Sequence, residues 1–274
     1  MFLWSYYKTV MTPVGSPPQS FFLTSEVKED LSLAQNDKEF KAILDRFVRQ
    51  TGIPVHNRNF DGSIRFCLKC SCVKPDRAHH CSVCGQCVLK FDHHCPWVNS
   101  CVNFSNYKFF LLFLGYGLVL CLFAFFTTMP YFIEIWSNNG LHKDFGRVHV
   151  LFIFFVSGMF ALSLGCLFFY HLYLTAVNRS TVESIRPPTF LHGPDKNGYN
   201  LGFRRNYREI FGKNKILRFI PVFTSHGNGV TYPIGEIVPD RYTLLSTRVN
   251  DGDSSTGSEE DELFNRQNDN TFIV

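Results

Sequence analysis

Between Cys67 and Cys101 the chain places eight of its ten cysteines and four histidines, in the pattern C-x2-C-x9-H-C-x2-C-x2-C-x4-D-H-H-C-x5-C. Thiolate and neutral imidazole are donors that Zn2+ accepts readily, and paired C-x2-C spacing is a zinc-ligand signature. That spacing commits Cys67 with Cys70 and Cys81 with Cys84. Two tetrahedral ions take eight groups. The run supplies twelve: Cys67, Cys70, Cys72, His79, His80, Cys81, Cys84, Cys87, His93, His94, Cys95 and Cys101. Spacing alone leaves the division of the others open, including whether His93 or His94 is bound.

The surplus carries the chemistry. Asp92-His93-His94-Cys95 sets a carboxylate, an imidazole and a thiol side by side, the parts of an activated cysteine nucleophile. An imidazole takes the thiol proton or stabilises the thiolate, and a carboxylate fixes the ring's tautomer. A rigid metal scaffold would remove most of the freedom that scatters such groups. A cysteine acyl-transfer site is expected on these grounds.

The elements that must position this run differ from it in composition. The chain has 274 residues and 30 phenylalanines. Residues 109–133 and 150–177 lack any formal charge. Each exceeds the roughly 20 helical residues that cross a hydrocarbon layer about 30 Å thick, so both are predicted to be transmembrane helices. Lys90 and Lys108 flank the first span, and Arg179, Arg186, Lys196, Arg204, Arg205 and Arg208 follow the second. The loop at 134–149 holds only Lys143 and Arg147 as basic residues. This bias places both outer flanks in the cytosol. Free thiolates also suit a reducing compartment.

Residues 1–11 open with Trp and Tyr, as at the interfacial end of a membrane helix, and carry no signal-peptide pattern. A linker at 12–63 is predicted to contain an amphipathic helix over 38–50 and a turn at Asp61-Gly62. The cysteine-rich domain, 64–108, should consist of short hairpins with little core of its own, held by metal. A cytosolic C-terminal domain at 178–245 contains a predicted helix from Phe203 to Phe211. Residues 246–274 form an acidic tail of disordered composition. No internal repeat of fixed period is expected. A net charge of +4 without a basic stripe argues against nucleic-acid binding, and the absence of a Gly-rich phosphate loop argues against nucleotide chemistry.

From about Ile53 to Pro221 the chain resembles the DHHC protein S-acyltransferases, or palmitoyltransferases. The resemblance is carried by Lys74-Pro75, Arg77, His80-Cys81, Asp92-His93-His94-Cys95-Pro96-Trp97, Cys101, Asn106 and Phe110. It implies an α-helical integral membrane protein bearing a cytosolic, zinc-binding, cysteine-rich domain of short β-hairpins. It also implies two structural Zn2+ ions, one on Cys67, Cys70, His80 and Cys87, the other on Cys81, Cys84, His94 and Cys101. Cys95 would then be the nucleophile, His93 the base and Asp92 its orienting partner, with Cys72 and His79 spare. Ser180-Thr181-Val182-Glu183 resembles the family's TTxE motif with Ser for the first Thr. Asn206 matches an asparagine expected to dock the C-terminal segment.

On this reading palmitoyl-CoA donates an acyl group to Cys95, which passes it to cysteines of membrane-proximal proteins. Lys74, Arg77, Lys90 and Lys108 are candidates for the CoA phosphates. The implied location is the Golgi, endoplasmic reticulum or plasma membrane. The family usually has four membrane helices, two of them before the cysteine-rich domain. A truncated isoform or incomplete gene model with weak or absent acyltransferase activity is therefore expected, the alternative being a non-catalytic zinc-binding membrane adaptor. Phe272-Ile273-Val274 resembles a PDZ-domain ligand.

Overall fold

A computed structural model describes residues 1–137 and 145–235 of the chain. The acidic tail, the PDZ-like C-terminus and residues 138–144 of the loop with Lys143 lie outside the described residues.

The N-terminal residues form α1 (Phe2–Met11), which lies against the first long helix. Two short helices follow, α2 (Ser25–Leu33) and α3 (Asp37–Thr51). The side chain of Asn36 accepts from the N–H of Glu39 and starts α3, and Gly52 at φ 62° ends it. Leu44 and Phe47, on its apolar face, are buried with Phe21, Ile53, Val55, Val73, Ala78 and Leu89. The cysteine-rich domain has little core of its own, as its composition implied, and rests on this borrowed one.

That domain is a threefold repeat, which the sequence reading did not anticipate. Three antiparallel hairpins follow one another: β1 (Phe66–Cys67) with β2 (Cys72–Val73), β3 (His79–Cys81) with β4 (Gln86–Val88), and β5 (His93–Cys95) with β6 (Ser100–Val102). Their registers superimpose at a period of fourteen residues: Cys67 faces Cys72, Cys81 faces Gln86, and Cys95 faces Ser100. Each turn closes through a left-handed residue at the same place, Ser71, Gly85 and Asn99. Only glycine adopts this conformation without cost, and asparagine tolerates it better than most. At this period the second and third hairpins also share residues, His79 and His93, His80 and His94, Cys81 and Cys95, Cys87 and Cys101, and Val88 and Val102, while the first keeps only the cysteines of its turn.

The long helices α4 (Tyr107–Ser137) and α5 (Phe145–Ala176) pack on each other. Both are long and apolar enough to cross a membrane, with mean hydropathy 2.6 and 2.4 over their most apolar windows. Most of their surface is uncovered, including Phe123, Phe126, Phe152 and Leu162. A soluble core helix would be covered all round, whereas lipid accepts such a face. Close approach depends on small residues. A Cβ at Gly115 would lie 3.1 Å from Phe168, and one at Gly158 would lie 3.0 Å from Phe125.

After α5 come α6 (Thr181–Ile185), the small hairpin β7 (Thr189–Phe190) with β8 (Gly193–Pro194), and α7 (Phe203–Phe211). Ser180 and Glu183 form a reciprocal capping box on α6, so serine in place of threonine keeps the cap.

Candidate functional site

The hairpin repeat builds the metal sites as a relay. Each turn offers a C-x2-C knuckle, and the next hairpin answers with a cross-strand pair. Cys67 and Cys70 of the first turn meet His80 and Cys87, which face each other across β3 and β4. Their Sγ atoms lie 3.5 and 3.3 Å from His80 Nδ1, and that of Cys87 lies at 4.0 Å. Cys81 and Cys84 of the second turn meet the pair His94 and Cys101 of the third hairpin. Here the three sulfurs lie 3.7, 3.5 and 3.6 Å from His94 Nδ1. Zn–S bonds of about 2.3 Å and Zn–N bonds of about 2.0–2.1 Å give tetrahedral edges of roughly 3.5–3.8 Å. Both sets fit a structural zinc of the three-thiolate, one-imidazole kind.

The third hairpin breaks the relay. Cys95 occupies the register position of Cys67 and Cys81, but its knuckle partner is Val98, buried at 2 % exposure. The strand after it, β6, leads into α4 rather than into another hairpin of the repeat. Asn103 and Asn106 instead turn the chain into α4, with Asn106 Oδ1 accepting from the N–H of Asn103 at 2.9 Å and Asn106 Nδ2 donating to the Thr9 carbonyl at 3.1 Å. Cys95 is thus outside both metal sets. Alternation along β5 separates the roles: His94 faces the second metal set, while His93 and Cys95 share the opposite face.

On that face His93 Nδ1 meets Asp92 Oδ2 at 2.6 Å, leaving Nε2 as the ring nitrogen free toward Cys95, two residues along the same strand face. Asp92 is 1 % exposed and held from the far side by Thr181, whose N–H donates to Oδ1 at 2.9 Å and whose hydroxyl donates to Oδ2 at 2.8 Å. Burial alone would raise the Asp92 pKa. The hydrogen bond from His93, the nearby His171 ring and the Thr181 N–H hold it below the usual carboxylate value. Burial likewise disfavours the His93 cation, yet Asp92 and Cys95 raise that imidazole to about 9. For Cys95 burial opposes ionisation, and His93 with the N–H groups of Trp97 and Val98 overrides it, so the thiol lies below its ordinary value. A thiolate–imidazolium pair at neutral pH is what a cysteine nucleophile requires.

Arg77 fixes α6, and hence Thr181, in place. Its Nε and Nη2 pair with the Glu183 carboxylate at 2.8 and 2.6 Å, while Nη1 and Nη2 also donate to Asn178. The guanidinium lies over the Tyr199 ring at 4.5 Å. Asn206, the expected docking residue, donates to the Ala176 carbonyl at 2.7 Å and accepts from the Leu201 N–H at 3.0 Å.

Three of the four candidate phosphate ligands have other partners. Arg77 is buried as described, Lys90 pairs with Glu209 at 2.7 Å, and Lys108 donates to the Leu217 and Val222 carbonyls and the Thr224 hydroxyl. Charge near the cysteine run suggested phosphate contacts, but these side chains point inward and join the C-terminal segment to the hairpins and α4. Lys74 is half-buried and its charge acts on His79. Burial and the Arg65 charge push His79 down to about 3. With Arg58, Arg65 and Arg186 it lines a polar cleft that the sequence reading missed. Arg58 Nε and Nη1 are buried there without a hydrogen-bond partner. Cys72 is fully buried beside Cys67 and Cys87 and belongs to neither metal set. His171 of α5 was also missed, although a histidine within an apolar span is a signal in itself. It lies 5.8 Å from the His93 ring, centroid to centroid, with Nδ1 3.1 Å from the Tyr107 hydroxyl.

An apolar helix pair, a relay of two Cys/His sets that could hold metal and a thiol set beside an Asp–His pair define a class of proteins with a cysteine-rich metal domain beside membrane-spanning-capable helices. Residues 61–187 match the family described as DHHC palmitoyltransferase. The chain is 48 % identical over 233 residues to mouse palmitoyltransferase ZDHHC2, covering 85 % of this chain and 63 % of that protein. It is 46 % identical over 259 residues to Xenopus laevis palmitoyltransferase ZDHHC15, covering 94 % and 76 %, and 45 % identical over 258 residues to human palmitoyltransferase ZDHHC20, covering 94 % and 70 %. The chain belongs to the DHHC palmitoyltransferase family, and it spans somewhat less than two thirds of the length of ZDHHC2.

Proposed function

We propose that this chain is a protein S-acyltransferase that carries a long-chain fatty acyl group, such as palmitoyl, on Cys95. The observation behind this reading is a thiol outside both metal sets, on the same strand face as an imidazole that a buried carboxylate orients. Cys95 Sγ attacks the thioester carbonyl of acyl-CoA, and its proton passes to His93. The carbonyl carbon–sulfur bond to CoA breaks, and CoA leaves as a thiol with the proton from His93. A cysteine of a membrane-proximal cytosolic protein then attacks the acyl-Cys95 thioester in the same way. Each step exchanges one thioester for another, so no nucleotide is consumed. Two Zn2+ ions, held by Cys67, Cys70, His80 and Cys87 and by Cys81, Cys84, His94 and Cys101, would hold the hairpins rigid.

Position favours lipid chemistry. Cys95 is packed with Phe110, Leu111 and Leu114 of the apolar helix α4. An acyl chain of about 15 methylene carbons costs on the order of 10 kcal/mol to leave in water, at about 0.8 kcal/mol each. The polar cleft of Arg58, Arg65, His79 and Arg186, with Lys74 near it, suits the CoA phosphates, and the unpartnered Arg58 donors call for an anion. The basic flanks favour the cytosolic side for this face. Incubation with labelled palmitoyl-CoA should give hydroxylamine-sensitive labelling of the purified chain that Cys95→Ser abolishes while zinc content is retained. Undiminished labelling in that variant overturns the reading.

A further inference from the structure

We propose that Asp92, His93 and His171 form a third metal site, through which a divalent transition-metal ion such as Zn2+ reversibly inhibits Cys95. This rests on Cys95 being the acyl-carrying nucleophile. One carboxylate oxygen and one nitrogen from each imidazole lie within 4.8 Å of one another. Asp92 and His171 are buried at 1 % exposure each, while the His93 side chain is 31 % exposed and gives an ion access from solvent.

The surroundings have the form of a metal site's outer shell. Ligating histidines usually engage a partner through the second ring nitrogen, and ligating carboxylates are themselves hydrogen-bonded. His171 Nδ1 faces the Tyr107 hydroxyl at 3.1 Å, which orients the ring and leaves Nε2 as its free donor. Thr181 holds Asp92 with its N–H and its hydroxyl. Two imidazoles and a carboxylate with an open fourth position match accessible zinc centres, whereas the two Cys/His sets are closed. Hard cations such as Mg2+ and Ca2+ prefer all-oxygen sets and should not compete.

The hairpin repeat gives a second reason. At the Cys95 register position, the first two hairpins hold Cys67 and Cys81, both members of metal sets. Cys95 keeps that position, and the donors on its side are His93, Asp92 and His171. An ion taking His93 withdraws the base from the thiol. Binding must displace the short His93–Asp92 hydrogen bond, so the ion should exchange readily where the two closed sites hold theirs.

The test uses the full chain with both structural zincs in place and follows alkylation of Cys95 by iodoacetamide with mass spectrometry, in a series of buffered Zn2+ concentrations. Zn2+ should slow Cys95 alkylation, a weak chelator should restore it, and Mg2+ should have no effect. Losing one ligand should raise the Zn2+ concentration for half-protection by about ten-fold or more in His171→Gln, with two zincs still present by elemental analysis. His171→Ala serves as a second variant should glutamine perturb the helix. Absence of protection, or equal half-protection in wild type and both variants, overturns the proposal. Alkylation needs no acyl donor, so this site and the acyltransferase reading stand or fall on separate measurements.

Discussion

The buried Arg77–Glu183 pair links the cysteine-rich domain to the segment after α5, and its removal is the most demanding test of the site's architecture. Both side chains are nearly inaccessible, at 0 % and 5 % exposure. Two short hydrogen bonds join them, and Arg77 also holds Asn178. In Arg77→Met the Glu183 carboxylate loses its guanidinium partner in a site that excludes water. Breaking one side of such a pair costs about 3–5 kcal/mol. At roughly 2–4 °C per kcal/mol for a domain of this size, the melting midpoint should fall by about 6–20 °C. The double variant Arg77→Met/Glu183→Leu leaves no charge stranded and should be more stable than Arg77→Met alone, because much of the single-variant loss is the unpaired carboxylate. Thermal unfolding of the four-member cycle in detergent, with zinc content measured beside it, provides the assay. A loss below about 1 kcal/mol in Arg77→Met, or strict additivity in the cycle, would refute the argument that this pair holds α6.

Three further outcomes are expected. Thr181→Val deletes a hydroxyl bond to a buried carboxylate, of the kind worth about 1.5–3 kcal/mol, so Cys95 labelling should slow by about ten-fold or more while Thr181→Ser stays near wild type; equal rates in both variants would separate Asp92 from the chemistry. Because His93 helps hold the Cys95 thiol below its ordinary value, His93→Gln should raise the thiol pKa and move the iodoacetamide rate profile to higher pH, and an unmoved or acid-shifted midpoint contradicts the assignment. The second hairpin serves both metal sets, so Cys84→Ser should purify with less than one zinc per chain, and retention of one full zinc would show the sites to be independent.

Much of the site was legible from residue type. The C-x2-C pairs, the spare Asp92-His93-His94-Cys95 and the two uncharged spans announce themselves, because metal ligation and membrane crossing restrict which residues can stand there. The helix predicted over 38–50 spans Asp37–Thr51, bounded by the Asn36 cap and Gly52; α4 extends its apolar run by two residues at the start and four at the end, while α5 begins five residues before its run and ends one residue short of it. The basic residues were read less well. Lys90 and Lys108 look like surface charges in sequence, and only their partners, Glu209 and the carbonyls near residue 220, make them internal fasteners.

Composition and spacing by themselves determined that this chain carries zinc-ligand pairs, two runs apolar enough to cross a membrane and more Cys and His donors than two metal ions take. Only the tertiary structure decided which thiol is left over, and why. A hairpin relay passes each knuckle to the next hairpin, and it ends where α4 begins, so the third knuckle cysteine meets His93 instead of a fourth hairpin. The partners that complete the site, Thr181 and His171, come from the far end of α5 and the turn beyond it. Their contacts depend on how the helices fold back over the hairpins, and local residue preferences do not encode a meeting across more than seventy residues of chain.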